Sequence, residues 1–327
     1  MNAKRLEFSK NILVIKDIEA EIARITDRIR QNILFDLKRK GAVVGISGGI
    51  DSSVSLALAA KALGPDKVLG IMLPEKESSS NSVILARELA EKFGVDTLVE
   101  DISEALKGFG CYKRRDEAVK RVFPDFDPQT YKCKIGIHQT GIKQNLPPVF
   151  YLTIISPSGE EHKKVIPLKE YLQIVAASNF KQRSRMAMLY YHAESLHYAV
   201  VGTANKHEIE QGFFVKHGDG GVDLMPIGYL YKTQIYQVAA ALGIPESIIK
   251  RPPTTDTYSA EQTQEEFFFQ LPFKDMDLLW YAFENGYPVS EVAPEMNLSE
   301  KEAEHIYANF TRKQRTTEYL RKSAEKM

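Results

Sequence analysis

A doubly wound parallel sheet in an α/β fold is what this 327-residue sequence predicts, on three observations. Short apolar strand patterns alternate with helical patterns through the first hundred residues. A tight glycine turn falls where the first strand passes into a helix, which is where such sheets hold ligands. After a break over residues 105–170 the strand-then-helix rhythm returns.

Residues 18–38 predict an amphipathic helix, with Ile18, Ile22, Ile25, Ile29, Ile33 and Leu37 near helical spacing. Val43, Val44 and Ile46 read as a short buried strand, and Ala57 to Ala62 as helix. The stretch KVLGIMLP predicts a second strand, Ser79 to Phe93 a helix, and VDTLVEDI a third strand. The insertion at 105–170 opens with CYKRRDEAVKRVF, a basic amphipathic helix pattern whose interleaved Asp116 and Glu117 favour a solvated face. DFDPQTYKCKIGIHQTGIKQNLPP reads as loop, and VFYLTIISPSGEEHKKVIPL as a hairpin turning at Ser158, Gly159 and Glu160. Next come a helix from about Gln182 to Leu196, a buried strand in HYAVVGTAN, a glycine-rich loop KHGDGGVDLMP and a helix from Lys232 to Leu242. Beyond Pro252 and Pro253 lies a polar stretch, then a mostly helical segment; 256–327 is the C-terminal unit of one domain spanning 1–327.

Composition narrows the function classes. Hydrophobic residues make up 43%, charged residues 26%, and the formal net charge is zero, so no global field draws the chain to nucleic acid or membrane. No apolar run approaches the ~20 residues of a membrane span. The N-terminus is charged and amphipathic rather than signal-like. Cys111 and Cys133 give neither a disulfide framework nor a zinc pattern, which fits a reducing cytoplasm.

The chemistry concentrates in VVGISGGIDSSVSLALAAKALG. Gly48 and Gly49 allow close backbone approach, and the turn's N–H groups with those opening the helix form a cup for an anion. A Walker A loop would place lysine before its Ser/Thr, but Asp51 stands there; Gly45, Gly48 and Gly49 also miss the dinucleotide spacing. An aspartate in a phosphate cup repels the phosphate unless a cation intervenes. The stretch therefore suggests phosphate, magnesium and carboxylate together, against the plain alternative of a capped strand-to-helix turn.

Magnesium then calls for a second carboxylate. Glu208, just past a strand in VVGTANKHEIEQG, is the candidate, with Thr203 as a phosphate or ribose contact; a first-turn helix carboxylate is its plain reading. NFKQRSRM sets Arg183 and Arg185 at the start of a helix, suited to phosphate but common on solvated faces. Lys216, Asp219, Asp223 and Lys232 surround the glycine-rich loop, and Lys232 heads a helix from which it could reach a phosphate. The histidines show no metal spacing, and no Ser, Cys or zinc hydrolase motif occurs.

With these residues quoted, a resemblance emerges. SGGIDSS resembles the pyrophosphate loop of N-type ATP pyrophosphatases. The ordered set GISGGIDSS, NFKQRSRM, GTANKHE, GFFVKHGDGGVD, PIGYLYKTQ and RPPTT is similar to the NAD synthetase family. The resemblance implies a flavodoxin-like fold of the adenine-nucleotide alpha hydrolase type and a homodimer. It implies ATP as co-substrate with Mg²⁺: the carboxylate of deamido-NAD is adenylated with release of pyrophosphate, then ammonia displaces AMP. Residues Gly45, Ile46, Ser47, Gly48, Gly49, Ile50, Asp51 and Ser52 would cradle ATP phosphates, with Thr203, Lys232 and Thr254 also on ATP. Asp51 and Glu208 would hold Mg²⁺, and Asp51, Glu208 and Lys232 would form the catalytic set. Arg183, Lys216 and Asp223, with Arg312 and Lys313, would contact deamido-NAD.

Three departures fall at substrate positions: Arg312, Lys313 and Gln314 replace a His-Lys-Arg, Gln264 and Glu265 replace an Asp-Glu, and the insertion is long. Two alternatives therefore stand beside this reading: the same chemistry on another carboxylate, and an inactive nucleotide-binding protein. No nucleophile for glutamine hydrolysis is evident, so ammonia, free or from a separate source, is the expected nitrogen donor.

Overall fold

The computed structural model describes residues 6–137, 149–254, 257–260, 262–264 and 268–327. Strands β1 (Ala42–Gly45), β2 (Val68–Met72) and β3 (Asp96–Val99) come first in the chain. β4 (Lys132–Ile137), β5 (Phe150–Ile155), β6 (Glu161–Val165) and β7 (Ala199–Val201) follow. β3, β2, β1 and β7 lie side by side in that order, all parallel, with Ala42 opposite both Val68 and Ala199.

Period-two alternation sends the two faces of this sheet into different cores. Ala42, Val44, Ala199 and Val201 pack with Ile22, Ile25 and Ile29 of helix Ile18–Arg30, Leu58 of helix Ile50–Leu63, and Val238 of helix Lys232–Leu242. Val43 and Val200 face the other way, onto Ile102, Leu106 and Ala193. The doubly wound expectation holds. β1 connects to β2 on one side and lies beside β7 on the other, so the crevice beyond their carboxyl ends is the switch point where such sheets bind ligands.

Several boundaries move. Helix Ile18–Arg30 ends in a wider π turn, Gln31–Asp36, close to the expected 18–38. Helix Ile50–Leu63 begins directly after Gly49, earlier than Ala57. The helix expected from Gln182 is Leu168–Leu196, 29 residues, because Pro167 starts it and no glycine or proline interrupts it. Arg183 and Arg185 therefore sit mid-helix, not at an N-terminus.

Within the insertion, the expected hairpin is β5 and β6, with Gly159 at φ +86° in its turn. The preceding stretch was expected to be loop throughout, but it contributes a third antiparallel strand, β4, paired to β5. Cys133 and Ile135 of β4 are buried while Lys132 faces solvent, so lysines on the outer face masked a strand pattern. The rest of that loop, 138–148, lies outside the described residues, as does Glu265. The C-terminal helices Phe273–Glu284, Val289–Glu295 and Glu300–Arg321 close around buried Trp280. Both cysteines are free and buried. Among the described residues no helix is long and apolar enough to cross a membrane.

Candidate active site

The glycine turn leaves β1 at the switch point. Gly48 adopts φ +69°, and a Cβ there would lie 2.7 Å from the Ser82 carbonyl and 2.9 Å from Leu85 Cβ. Only glycine fits that position, since the fold presses the turn against helix Ser80–Phe93. Ser52 Oγ donates to Gly49 O at 3.0 Å and Ser53 Oγ to the same carbonyl at 2.8 Å, which locks the turn to the start of the helix. Arg251, from the segment before Pro252, donates to Ser82 Oγ at 3.1 Å and reaches Gly48 O at 3.4 Å. Its hydrogen bonds go to neutral acceptors, and among the described residues it has no ion-pair partner.

β7 delivers the second half. Asn205 caps helix Lys206–Gln211: its Oδ1 accepts from Glu208 N at 3.1 Å, and its own N–H donates to Glu208 Oε2 at 3.0 Å. Its Nδ2 reaches Asp51 Oδ1 at 3.2 Å, so one asparagine ties both carboxylates. Lys232, fully buried at the start of helix Lys232–Leu242, is ion-paired to Asp51 Oδ2. Gln264 Nε2 contacts Glu208 Oε1 at 3.3 Å.

Burial, then repulsion from Asp51, pushes Glu208 up to about 8, against the pull of Lys232. Burial works against the Lys232 charge, but Asp51 and Glu208 more than offset it and hold its pKa above the ordinary lysine range. Two carboxylates converging beside an anion cup raise one another's cost of ionisation, and a divalent cation between them would reverse that cost. Their hard oxygens match what Mg²⁺ takes, with phosphates and water completing its shell.

These residues line one cavity of about 480 Å³, within the ~300–1,000 Å³ typical of ligand sites. Gly45, Ile46, Ser47, Gly49, Ile50, Asp51, Ser52, Thr203, Glu208 and Thr254 all face it, with Lys181, Arg185, Asp219 and Arg251. Gly48 and Lys232 stand directly behind this wall. Thr254 is held by a bridge to Thr263. Asn205 and Arg251 were not singled out from sequence, although Asn205 and Glu208 have the three-residue spacing of a capping box.

The remaining expected substrate residues are not brought to the cavity wall. Arg183 Nη2 reaches Lys216 O at 3.4 Å. Lys216 Nζ donates to the carbonyls of Tyr319 and Lys322 at 3.0 and 2.7 Å. Asp223 accepts from Val200 N at 2.8 Å and Tyr190 OH at 3.1 Å, fastening the loop to β7. Arg312 and Lys313 lie on helix Glu300–Arg321. Lys313 Nζ donates to Phe268 O at 3.0 Å and Gln211 Oε1 at 3.2 Å.

Burial pulls Lys313 down to about 7 from an ordinary 10.5. The unfolded chain binds this proton up to about 10.5 while the folded one releases it from about 7, so stability rises with pH across that window. Lys313→Met should abolish that part of the rise; melting temperatures of both proteins from about pH 6 to 10.5 check it, and parallel curves would refute it.

With the geometry in place, comparison with known proteins is decisive. The sequence profile of the NAD synthase family matches residues 21–123 and 152–324. The chain belongs to the NAD synthase family. That makes it a carbon–nitrogen ligase of NAD biosynthesis, with ATP as co-substrate. The match skips 124–151, which includes β4 and the start of β5. The NH(3)-dependent NAD(+) synthetase of Mesorhizobium japonicum is 46% identical over 304 residues, covering 93% of this chain and 95% of that protein. Among solved structures, the NMN synthetase of Francisella tularensis has a TM-score of 0.64 at 21% identity, covering 96% of this chain and 99% of that one. The NH3-dependent NAD synthetase of Campylobacter jejuni has a TM-score of 0.62 at 20% identity, covering 96% and 100%. At these identities the two structures bear on the fold.

Proposed function

We propose that this NAD synthase takes nitrogen from ammonia, works through an acyl-adenylate, and holds Mg²⁺ between Asp51 and Glu208. The observation that supports it best is the meeting of Asp51 and Glu208 through Asn205, with Lys232 paired to Asp51, beside the glycine cup at the switch point.

The cup's N–H groups and the start of helix Ile50–Leu63 orient the ATP phosphates. The nicotinate carboxylate of deamido-NAD attacks the α-phosphate, the α–β bridging bond breaks, and pyrophosphate leaves. Mg²⁺, when bound, would offset charge on the departing pyrophosphate. Lys232 fixes the Asp51 carboxylate, and Arg251 offers a guanidinium to the phosphates at the turn. Ammonia then attacks the acyl carbon, the C–O bond to AMP breaks, and the nitrogen sheds a proton. No protein nucleophile enters either step, so the chain's contribution is positioning and electrostatics.

For the deamido-NAD half we assign Arg183, Lys216, Asp223, Arg312 and Lys313. In support, Arg183 touches the Lys216 backbone, and Lys216 reaches the end of the helix that carries Arg312 and Lys313. We place the protein in the cytoplasm as a homodimer, in keeping with the family resemblance.

The products decide the chemistry. With ATP, Mg²⁺, ammonium and deamido-NAD, phosphorus NMR should show AMP and pyrophosphate, because Asp51 occupies the place of the lysine that serves γ-phosphoryl transfer. ADP as main product would reject the reading, and AMP release with another carboxylate but not deamido-NAD would reassign the substrate.

A further inference from the structure

Behind the cavity a buried chain of polar groups joins the two elements that carry the catalytic residues. Helix Lys206–Gln211 bears Glu208, and next to it His207 is fully buried. Helix Lys232–Leu242 opens with Lys232, and next to it stands Thr233. Between them lies Asp277 of helix Phe273–Glu284, also fully buried. Its Oδ1 is 2.6 Å from His207 Nε2, and its Oδ2 accepts the Thr233 backbone N–H at 2.6 Å.

The network assigns the proton. Gln211 Oε1 accepts from Lys313 Nζ at 3.2 Å. Gln211 Nε2 then faces His207 Nδ1 at 3.2 Å, which must accept, leaving the proton on Nε2 for Asp277. The rings of Tyr231, Phe269 and Trp280 stand 5.6, 6.0 and 6.0 Å from the imidazole. A buried carboxylate in this setting is no aid to stability over well-packed apolar side chains. What it supplies is two short, directional, charge-assisted bonds at fixed angles. Each bond ends one residue away from a catalytic side chain.

We infer that Asp277 is a positioning residue: it clamps helix Lys206–Gln211 to the start of helix Lys232–Leu242, and so sets Glu208 against Lys232 and Asp51. This rests on the reading that Asp51 and Glu208 hold the divalent cation. Its role parallels that of outer groups around metal ligands, whose loss typically costs about 10–100-fold in affinity or activity.

The test titrates Mn²⁺, an oxygen-seeking probe, into the protein with ATP and no deamido-NAD, following free Mn²⁺ by EPR. Asp277→Asn should weaken Mn²⁺ binding about tenfold or more. His207→Gln, which keeps the Thr233 bond, should weaken it several-fold. In turnover assays kcat should fall with the KM for deamido-NAD little changed. Melting curves identify folded variants, and if Asp277→Asn does not fold, His207→Gln decides. Wild-type Mn²⁺ affinity in the deciding variant overturns the inference. Asp51→Asn separates the two readings: wild-type affinity there removes the metal assignment and this inference with it, whereas weakened binding in Asp51→Asn alone removes only the role of Asp277.

Discussion

Asp51→Asn is expected to lower kcat by about a hundredfold or more while the protein still folds, and Glu208→Gln to do the same. Each change keeps the shape of the side chain and removes one charged oxygen donor. The amide introduced by Asp51→Asn would retain a carbonyl for either Asn205 or Lys232, and Glu208 stays nearby, so the variant should fold, at a cost in stability because buried Lys232 loses its carboxylate. Glu208→Gln goes further. Burial and Asp51 raise the folded pKa of Glu208 to about 8, whereas the unfolded chain ionises near 4.5. The wild type therefore loses stability as pH rises from about 4.5 to about 8, and the glutamine variant does not. Its melting temperature should match the wild type at about pH 4.5 and exceed it at about pH 8. Activity lost with stability kept or raised in Glu208→Gln is the signature of a charge placed for catalysis. Wild-type turnover in either variant would sink the metal assignment.

That pairing shows why part of the site was legible in the sequence. Asp51 and Glu208 each follow a short apolar strand, and adjacent parallel strands bring their carboxyl ends together. Strand pattern, glycine turn and carboxylate are local signals, so the proposed ATP half could be read from local stretches. The links that fix its geometry are not local. His207 and Asp277 are 70 residues apart, and neither has spacing that announces the other. Asp223 is tied in the same non-local way: its oxygens accept from Val200 N and Tyr190 OH, while Asp219 of the same loop faces the cavity.

The fold divides in the same way. The central sheet was legible because β1, β2 and β7 are short, wholly apolar and largely buried, while β3 at the edge is mostly exposed and was read from its alternation with helices. β4 was not, because its outer lysines hid the alternation that buries Cys133 and Ile135. The first half of helix Leu168–Leu196 was missed because it abuts the hairpin with only Pro167 as a start signal. Boundaries at such junctions are set by packing: Ile174 and Ala177 of this half are both buried.

Lys232→Met should remove nearly all activity and also destabilise the fold, unlike Glu208→Gln. Lys232 is fully buried, paired with Asp51, and its Nζ lies 5.2 Å from the centre of the Phe273 ring. Methionine fills much of the same space but leaves Asp51 and Glu208 facing each other without a neutralising cation. Breaking a buried pair from one side typically costs about 3–5 kcal/mol, far more than the pair itself is worth. The rate should fall by about a hundred- to a thousandfold, as for removal of a preorganised charge-stabilising group. Lys232→Arg should not restore it, since a wider planar fork does not fit a fully enclosed point charge. Added Mg²⁺ should recover part of the lost melting temperature, because a cation binding only the folded state replaces some of the missing charge. It should not restore turnover, because the carboxylate that Lys232 orients would remain misplaced. Melting curves with and without Mg²⁺, run beside steady-state assays, check both halves. A methionine variant as stable and active as the wild type would show that Lys232 is an ordinary buried lysine.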